Sequence, residues 1–119
     1  MEIKIIDGLA VIHSEETLIT DAQSALDLIA TVNYYHGINR LIIAKNAIIE
    51  SFFNLSTGVA GEVLQKFSNY GGKIAIIGDF SGYKSKALHD FIYECNKGNT
   101  AFFVMTEKEA MAKLSGTWN

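Results

Sequence analysis

The 119-residue sequence has no proline, one cysteine and three histidines. Without proline there is no proline-rich linker or tail to separate modules. The single Cys95 has no internal partner, so a disulfide framework is excluded and a reducing, cytoplasmic setting is expected. His13, His36 and His89 are far apart and lack metal-ligand spacing such as H-x-x-x-H, so no metal site is expected. No apolar run approaches the roughly 20 residues a spanning helix needs. The opening "MEIKIIDG" has no basic segment leading into a long apolar one, so neither membrane attachment nor a signal peptide is expected. Basic residues are few: 10 Lys and Arg against 13 Asp and Glu give a net charge of −3. They are scattered rather than clustered, which argues against a nucleic-acid partner. There is no nucleophile with an adjacent base, no paired carboxylates with a rationale and no G-x-S-x-G elbow. No catalytic residue is assigned and no cofactor is expected.

What is present is ordinary globular composition, 49% hydrophobic and 19% charged. One domain spanning residues 1–119 is expected, long enough to bury a core unaided. "EIKII" and "LAVIH" are short β-branched runs joined by Asp7-Gly8, a strong hairpin signal. "TDAQSALDLIATVNYYHG" follows with Ala22, Ala25, Leu26, Ile29 and Val32 at helical spacing. Thr20 or Asp21 can cap it, Gln23 stands in capping-box spacing to Thr20, and Gly37 ends it. "RLIIA" reads as a buried strand. Residues 46–53, "NAIIESFF", fit either an irregular connection or a single helical turn. A second helix is expected from Asn54 or Ser56 to about Tyr70, ended by Gly71-Gly72. "KIAIIG" is continuously apolar, as interior strands covered on both faces are. A third helix is expected from about Ser85 to Asn96, then the strand "TAFFVM", then a helix over "TEKEAMAKL" with Thr106 and Glu109 in capping-box spacing. The order β-β-α-β-α-β-α-β-α predicts an α/β fold: a mixed, mostly parallel sheet of about five strands with an N-terminal hairpin and about four helices.

The second helix, within "NLSTGVAGEVLQKFSNYGG", carries the least expected residues. Val59, Ala60, Val63, Leu64, Phe67 and Tyr70 share one face of it, whereas Gly58, Gly61, Glu62, Gln65, Ser68 and Asn69 share the other. Glycine inside a helix costs about 1 kcal/mol relative to alanine, so two on the polar face require a reason. One reading is a tight entry at Gly58 with Gly61 as a tolerated cost. The other is a smooth backbone surface against which another body docks, beside Ser56 and Thr57 at the end of the helix that favours anions.

"LSTGVAGEVL" leading to "GGKIAIIG" resembles the regulated segment of anti-sigma-factor antagonist (STAS) domains. Their Asp-Ser-Ser/Thr-Gly-x-Gly motif holds a phosphorylatable hydroxyl at a strand-to-helix turn. The resemblance aligns Ser56-Thr57-Gly58 with Ser-Ser/Thr-Gly and implies Ser56 as the phosphoacceptor. Leu55 replaces the motif aspartate, Ala60 replaces its second glycine, and Gly61 comes one residue late. Over most of the chain, "FFNLSTGVAGEVLQKFSNY", "IAIIGDFS", "SKALHDFIYECNKGN" and "EKEAMAKL" resemble the small bacterial family called domain of unknown function 4180. That likeness implies a STAS-like α/β fold and supplies no activity.

Ligands of open α/β sheets bind beyond the carboxyl ends of the strands. The residues leaving those ends are Lys45 and Asn46, Asn54 to Thr57, Asp79, Ser81 and Lys84, and Thr106. "GDFSGYKS" could form a polar cup, or a plain turn followed by a Ser81 or Ser85 helix cap; its glycines do not fit a P-loop. His36 lies at a helix end, His89 shares a helix face with Tyr93 and Asn96, and Cys95 falls on an apolar face as an inert thiol. The main expectation is a non-enzymatic regulatory domain docking an unknown protein partner through Ser56, Thr57, Gly58, Gly61, Glu62 and Gln65. The alternative is a small-molecule binder or minor enzyme with an anion site at Lys45, Ser56, Asp79, Ser81 and Lys84. A third is a homodimer joined by exposed aromatics such as Tyr34, Tyr35, Tyr83 or Trp118.

Overall fold

The computed structural model describes residues 1–116. Strands β1 (Glu2–Ile6) and β2 (Leu9–His13) form the expected hairpin, with Ile6 opposite Leu9. Asp7 and Gly8 have φ of 51° and 78°, the paired left-handed geometry of the tight turn whose twist suits the strands it joins. There follow α1 (Ala22–His36), β3 (Arg40–Ala44), α2 (Val59–Asn69), β4 (Lys73–Ile77), α3 (Lys86–Lys97), β5 (Ala101–Val104) and α4 (Glu107–Gly116). The sheet order is β1-β2-β3-β4-β5, antiparallel at the first pair and parallel at the other three.

Each parallel connection moves the chain one strand over in the same direction, so right-handed crossovers stack their helices on one side. Buried residues of α1, α2 and α3, among them Ile29, Phe67 and Leu88, pack with Ile12, Leu41, Ile43, Ile74, Ile76 and Phe103. The alternate strand residues Val11, Ile42, Ala75, Phe102 and Val104 face the other way and are covered by Ala110 and Leu114 of α4. The continuously apolar strands are thus buried on both faces. Arg40 Nη1 donates to the Leu114 carbonyl at 2.6 Å, tying a cation to the C-terminal end of α4, where it complements the helix dipole.

Local details differ from the sequence expectations. Of the two expected α1 caps, Asp21 is the one used, and Ser24 rather than Gln23 completes the capping box. Thr20 instead donates its backbone N–H to Ser24 Oγ at 2.8 Å. Residues 45–57 form three short 3₁₀ turns; Phe52 and Phe53 are buried by them, and the backbone pairs with residues 18–19 through Leu18 N–H to Ala47 O and Ile49 N–H to Ile19 O. The second helix starts at Val59, later than expected, because Gly58 has φ +79°. Only a residue without Cβ adopts that conformation cheaply, and it ends the 3₁₀ turn before α2 begins. Tyr70, expected on the core face, lies beyond the last helical residue and is 37% exposed.

The two sheet edges are unlike. Asn96 on α3 closes the outer edge of β5: its side-chain amide accepts from Phe103 N–H at 2.8 Å and donates to Phe103 O at 3.2 Å. Among the described residues the outer edge of β1 has no neighbouring strand.

Candidate functional site

The chain leaves β3 into the 3₁₀ segment and returns through α2, so the carboxyl ends of β3 and β4 lie beside residues 45–57. Lys45 is the first residue out. Its Nζ lies 3.3 Å from Glu50 Oε1 and sits 5.1 and 5.0 Å over the rings of Phe53 and Tyr83. Tyr83 donates to Glu50 Oε2 at 2.6 Å and stacks on Phe53 at 5.4 Å. Gly78 lets the Lys45 stem pass, since a Cβ there would lie 2.8 Å from Lys45 Cβ. Tyr83 and then burial and Glu50 act on Lys45, with a net rise above the usual lysine range. Tyr83 chiefly, and Lys45 as well, hold the Glu50 carboxyl below its usual range. Tyr83 is therefore not a free aromatic, as expected from the sequence, but the centre of a clamp joining two loops.

Ser56 Oγ donates to Asn54 Oδ1 at 2.7 Å. Thr57 Oγ1 lies 2.8 Å from the carbonyls of Ser51 and Asn54 and accepts from Val59 N–H at 3.2 Å, so Thr57 shapes the entry to α2. Asp79 Oδ1 accepts from Ser81 Oγ and N–H at 2.6 and 3.0 Å; those bonds, the hydroxyl first, hold its carboxyl below the usual range. Lys84 is exposed. Of the five anion candidates only Asp79 and Ser81 bond to one another, Lys45 is engaged by Glu50, and Ser56 is turned to Asn54.

The six docking candidates do share a surface. Ser56, Thr57, Gly58, Gly61, Glu62 and Gln65 are all exposed. A Cβ on Gly58 or Gly61 would meet nothing within 4 Å. An open groove of about 540 Å³ runs between Ala22 on α1 and Gly61, Glu62, Gln65 and Lys66 on α2. The two glycines have different causes: Gly58 is demanded by its backbone, whereas Gly61 sits in regular helix with no positive φ.

A cleft that sequence reasoning missed, about 770 Å³, opens at the ends of β2 and β3. Glu2, His13, Ser14, Glu15, Glu16 and Asn46 supply its polar lining, which favours positive charge. Only the general rule on strand ends pointed to it, because its carboxylates come from β1 and the β2–α1 loop. Beside it His13 Nε2 is 3.9 Å from Glu107 Oε1. Tyr34 and Tyr35 are 82% and 72% exposed and meet edge to face at 5.0 Å. Trp118 lies outside the described residues. His36 is exposed at the end of α1, and exposed His89 approaches the Tyr83 carbonyl. Cys95 is half-buried against the core, and burial, with a smaller contribution from Glu94, pushes its thiol upward. Among the described residues no group of three or more His, Cys, Asp or Glu is placed to hold a metal ion, and no helix is long and apolar enough to cross a membrane.

The model of the family described as domain of unknown function (DUF4180) matches residues 7–114. The chain belongs to the DUF4180 family. No curated protein matches it in sequence. In three dimensions this DUF4180 chain is similar to a proposed anti-sigma factor antagonist from Thermotoga maritima, solved by crystallography. The TM-score is 0.51 at 18% identity, covering 96% of this chain and 93% of the other. The DUF4180 fold here is thus STAS-like: a mixed sheet opened by a hairpin, with four α-helices among the described residues.

Proposed function

We propose that this DUF4180 chain is a non-enzymatic, cytoplasmic regulatory domain that docks a protein partner on the exposed start of α2. The contact surface is Ser56, Thr57, Gly58, Gly61, Glu62 and Gln65. The observation that carries the reading is Gly61. It weakens a regular helix, fills no tight space and fits no special backbone conformation, so its value lies in what approaches from outside. The groove against Ala22 gives that approach a shape. The STAS-like fold and the T. maritima neighbour's description support a regulatory protein contact. Ser56, exposed and bonded through its hydroxyl to Asn54, is where an added phosphate would govern docking by charge.

The test uses the full chain as bait in extract of its own cells, followed by reconstitution of the recovered protein as a purified pair. Gly61→Arg fills the groove without touching the core, and Lys108→Glu on α4 is the control. The purified partner should bind wild type and the control and lose at least tenfold in affinity for Gly61→Arg. Equal affinity for all three overturns the proposal.

A further inference from the structure

We infer that the open edge of β1 is a self-association surface, on which a second copy of this chain adds its own β1 antiparallel to form a continuous sheet across a two-fold axis. The reading rests on β1 and is independent of the α2 face.

The hairpin fixes which backbone groups are free. A two-residue turn makes Ile6 and Leu9 a mutually hydrogen-bonded pair, so alternation turns the backbone of Lys4 and Glu2 toward β2 as well. The N–H and C=O groups of Ile3 and Ile5 then point away from the sheet, where no strand lies among the described residues. The opposite edge is different, because Asn96 already occupies the backbone of Phe103. One edge is closed by a side chain and the other is left available.

The side chains specify the occupant. Ile5 is 44% and Met1 64% exposed, on the same side of the strand as Ile3. Glu2 and Lys4 alternate with them on the other side, exposed and without an ion-pair partner among the described residues. With a two-fold axis through Ile3, Glu2 faces the partner's Lys4 and Lys4 faces the partner's Glu2. Met1 then faces the partner's Ile5, beside a hollow of about 260 Å³ lined by Met1, Leu18, Ser24, Asp27, Leu28 and Thr31. Ile3 and Ile5 turn the same way, so this register also pairs their free backbone groups. Moving the axis to Lys4 would set two lysines directly opposite, which is destabilising. The charge pattern is complementary to itself in the first register and repulsive in the second.

Sedimentation of the full chain over a range of concentrations tests the inference. Wild type should form dimers. Lys4→Glu, which alters one exposed charge, should weaken them about tenfold, and Glu2→Lys combined with Lys4→Glu should restore them. Ile5→Pro removes an outward-facing N–H, a change edge strands tolerate, together with the exposed Ile5 side chain, and should abolish the dimer. Gly61→Arg should leave it intact, separating this surface from the α2 face. A wild-type monomer throughout, a dimer indifferent to Lys4→Glu, or no rescue by the double reversal overturns the inference. If Ile5→Pro does not fold, the charge series still decides.

Discussion

The Tyr83 hydroxyl lies 2.6 Å from Glu50 Oε2, joining loops 33 residues apart in sequence through a bond that also holds the Lys45 clamp closed. The Glu50 carboxyl is held below its usual range, chiefly by Tyr83. Its stabilising contribution is full above the range where a free glutamate titrates, about pH 4.3, and is lost as pH falls through the folded value. Lys45 and Tyr83 are both shifted upward, by Tyr83 and by burial respectively as the first cause. Their contributions are complete below the usual lysine and tyrosine ranges and are lost as pH rises through the folded values. Tyr83→Phe should lower stability by about 0.5 kcal/mol at neutral pH, since solvent reaches the pair. Melting temperatures from pH 3 to pH 8 should show that difference shrinking in acid; a constant gap would contradict the clamp.

Gly58 and Gly61 should respond oppositely to alanine. Gly61→Ala meets open space in regular helix and should stabilise the fold by about 0.5–1 kcal/mol. Gly58→Ala places a Cβ on a residue with φ +79° and should destabilise it by about 1 kcal/mol. Urea denaturation of both variants reads the contrast directly.

Removing the Asn96 amide should expose more than a helix surface. In Asn96→Leu the partly buried N–H and C=O of Phe103 lose both partners, at a cost of about 1–3 kcal/mol. The uncovered edge should also promote aggregation. Thermal unfolding followed by light scattering measures both effects, and an unchanged melting temperature would refute the pairing.

Cys95 should react slowly while folded. Its thiol is half-buried and shifted upward by burial first and by Glu94 second, so little thiolate exists at neutral pH. Alkylation by iodoacetamide should be much slower in native protein than in urea; equal rates would show an accessible thiol.

Much of the architecture was readable because short-range rules governed it. Asp7-Gly8 dictated a hairpin, helical spacing in residues 22–32 dictated α1, and continuous apolar runs dictated strands covered on both faces. The exposure of Gly61 and Glu62 was also legible, since they fall opposite the buried Val63 and Phe67 on any helix drawn through them. The late start of α2 was not. A rotation of 100° per residue cannot reveal that Gly58 adopts φ +79°, a property of the preceding 3₁₀ turn.

By itself the sequence determined the order of elements, the hairpin register and the outward placement of Gly58 and Gly61, all consequences of neighbours a few residues apart. Only the tertiary structure decided that Lys45 engages Glu50 and Tyr83, that Asn96 seals β5, and that acidic residues line the strand-end cleft. Those arrangements pair groups brought together by the stacking of strands. No local period records which distant side chain will fill a hydrogen bond, so the partners appear only once the sheet is assembled.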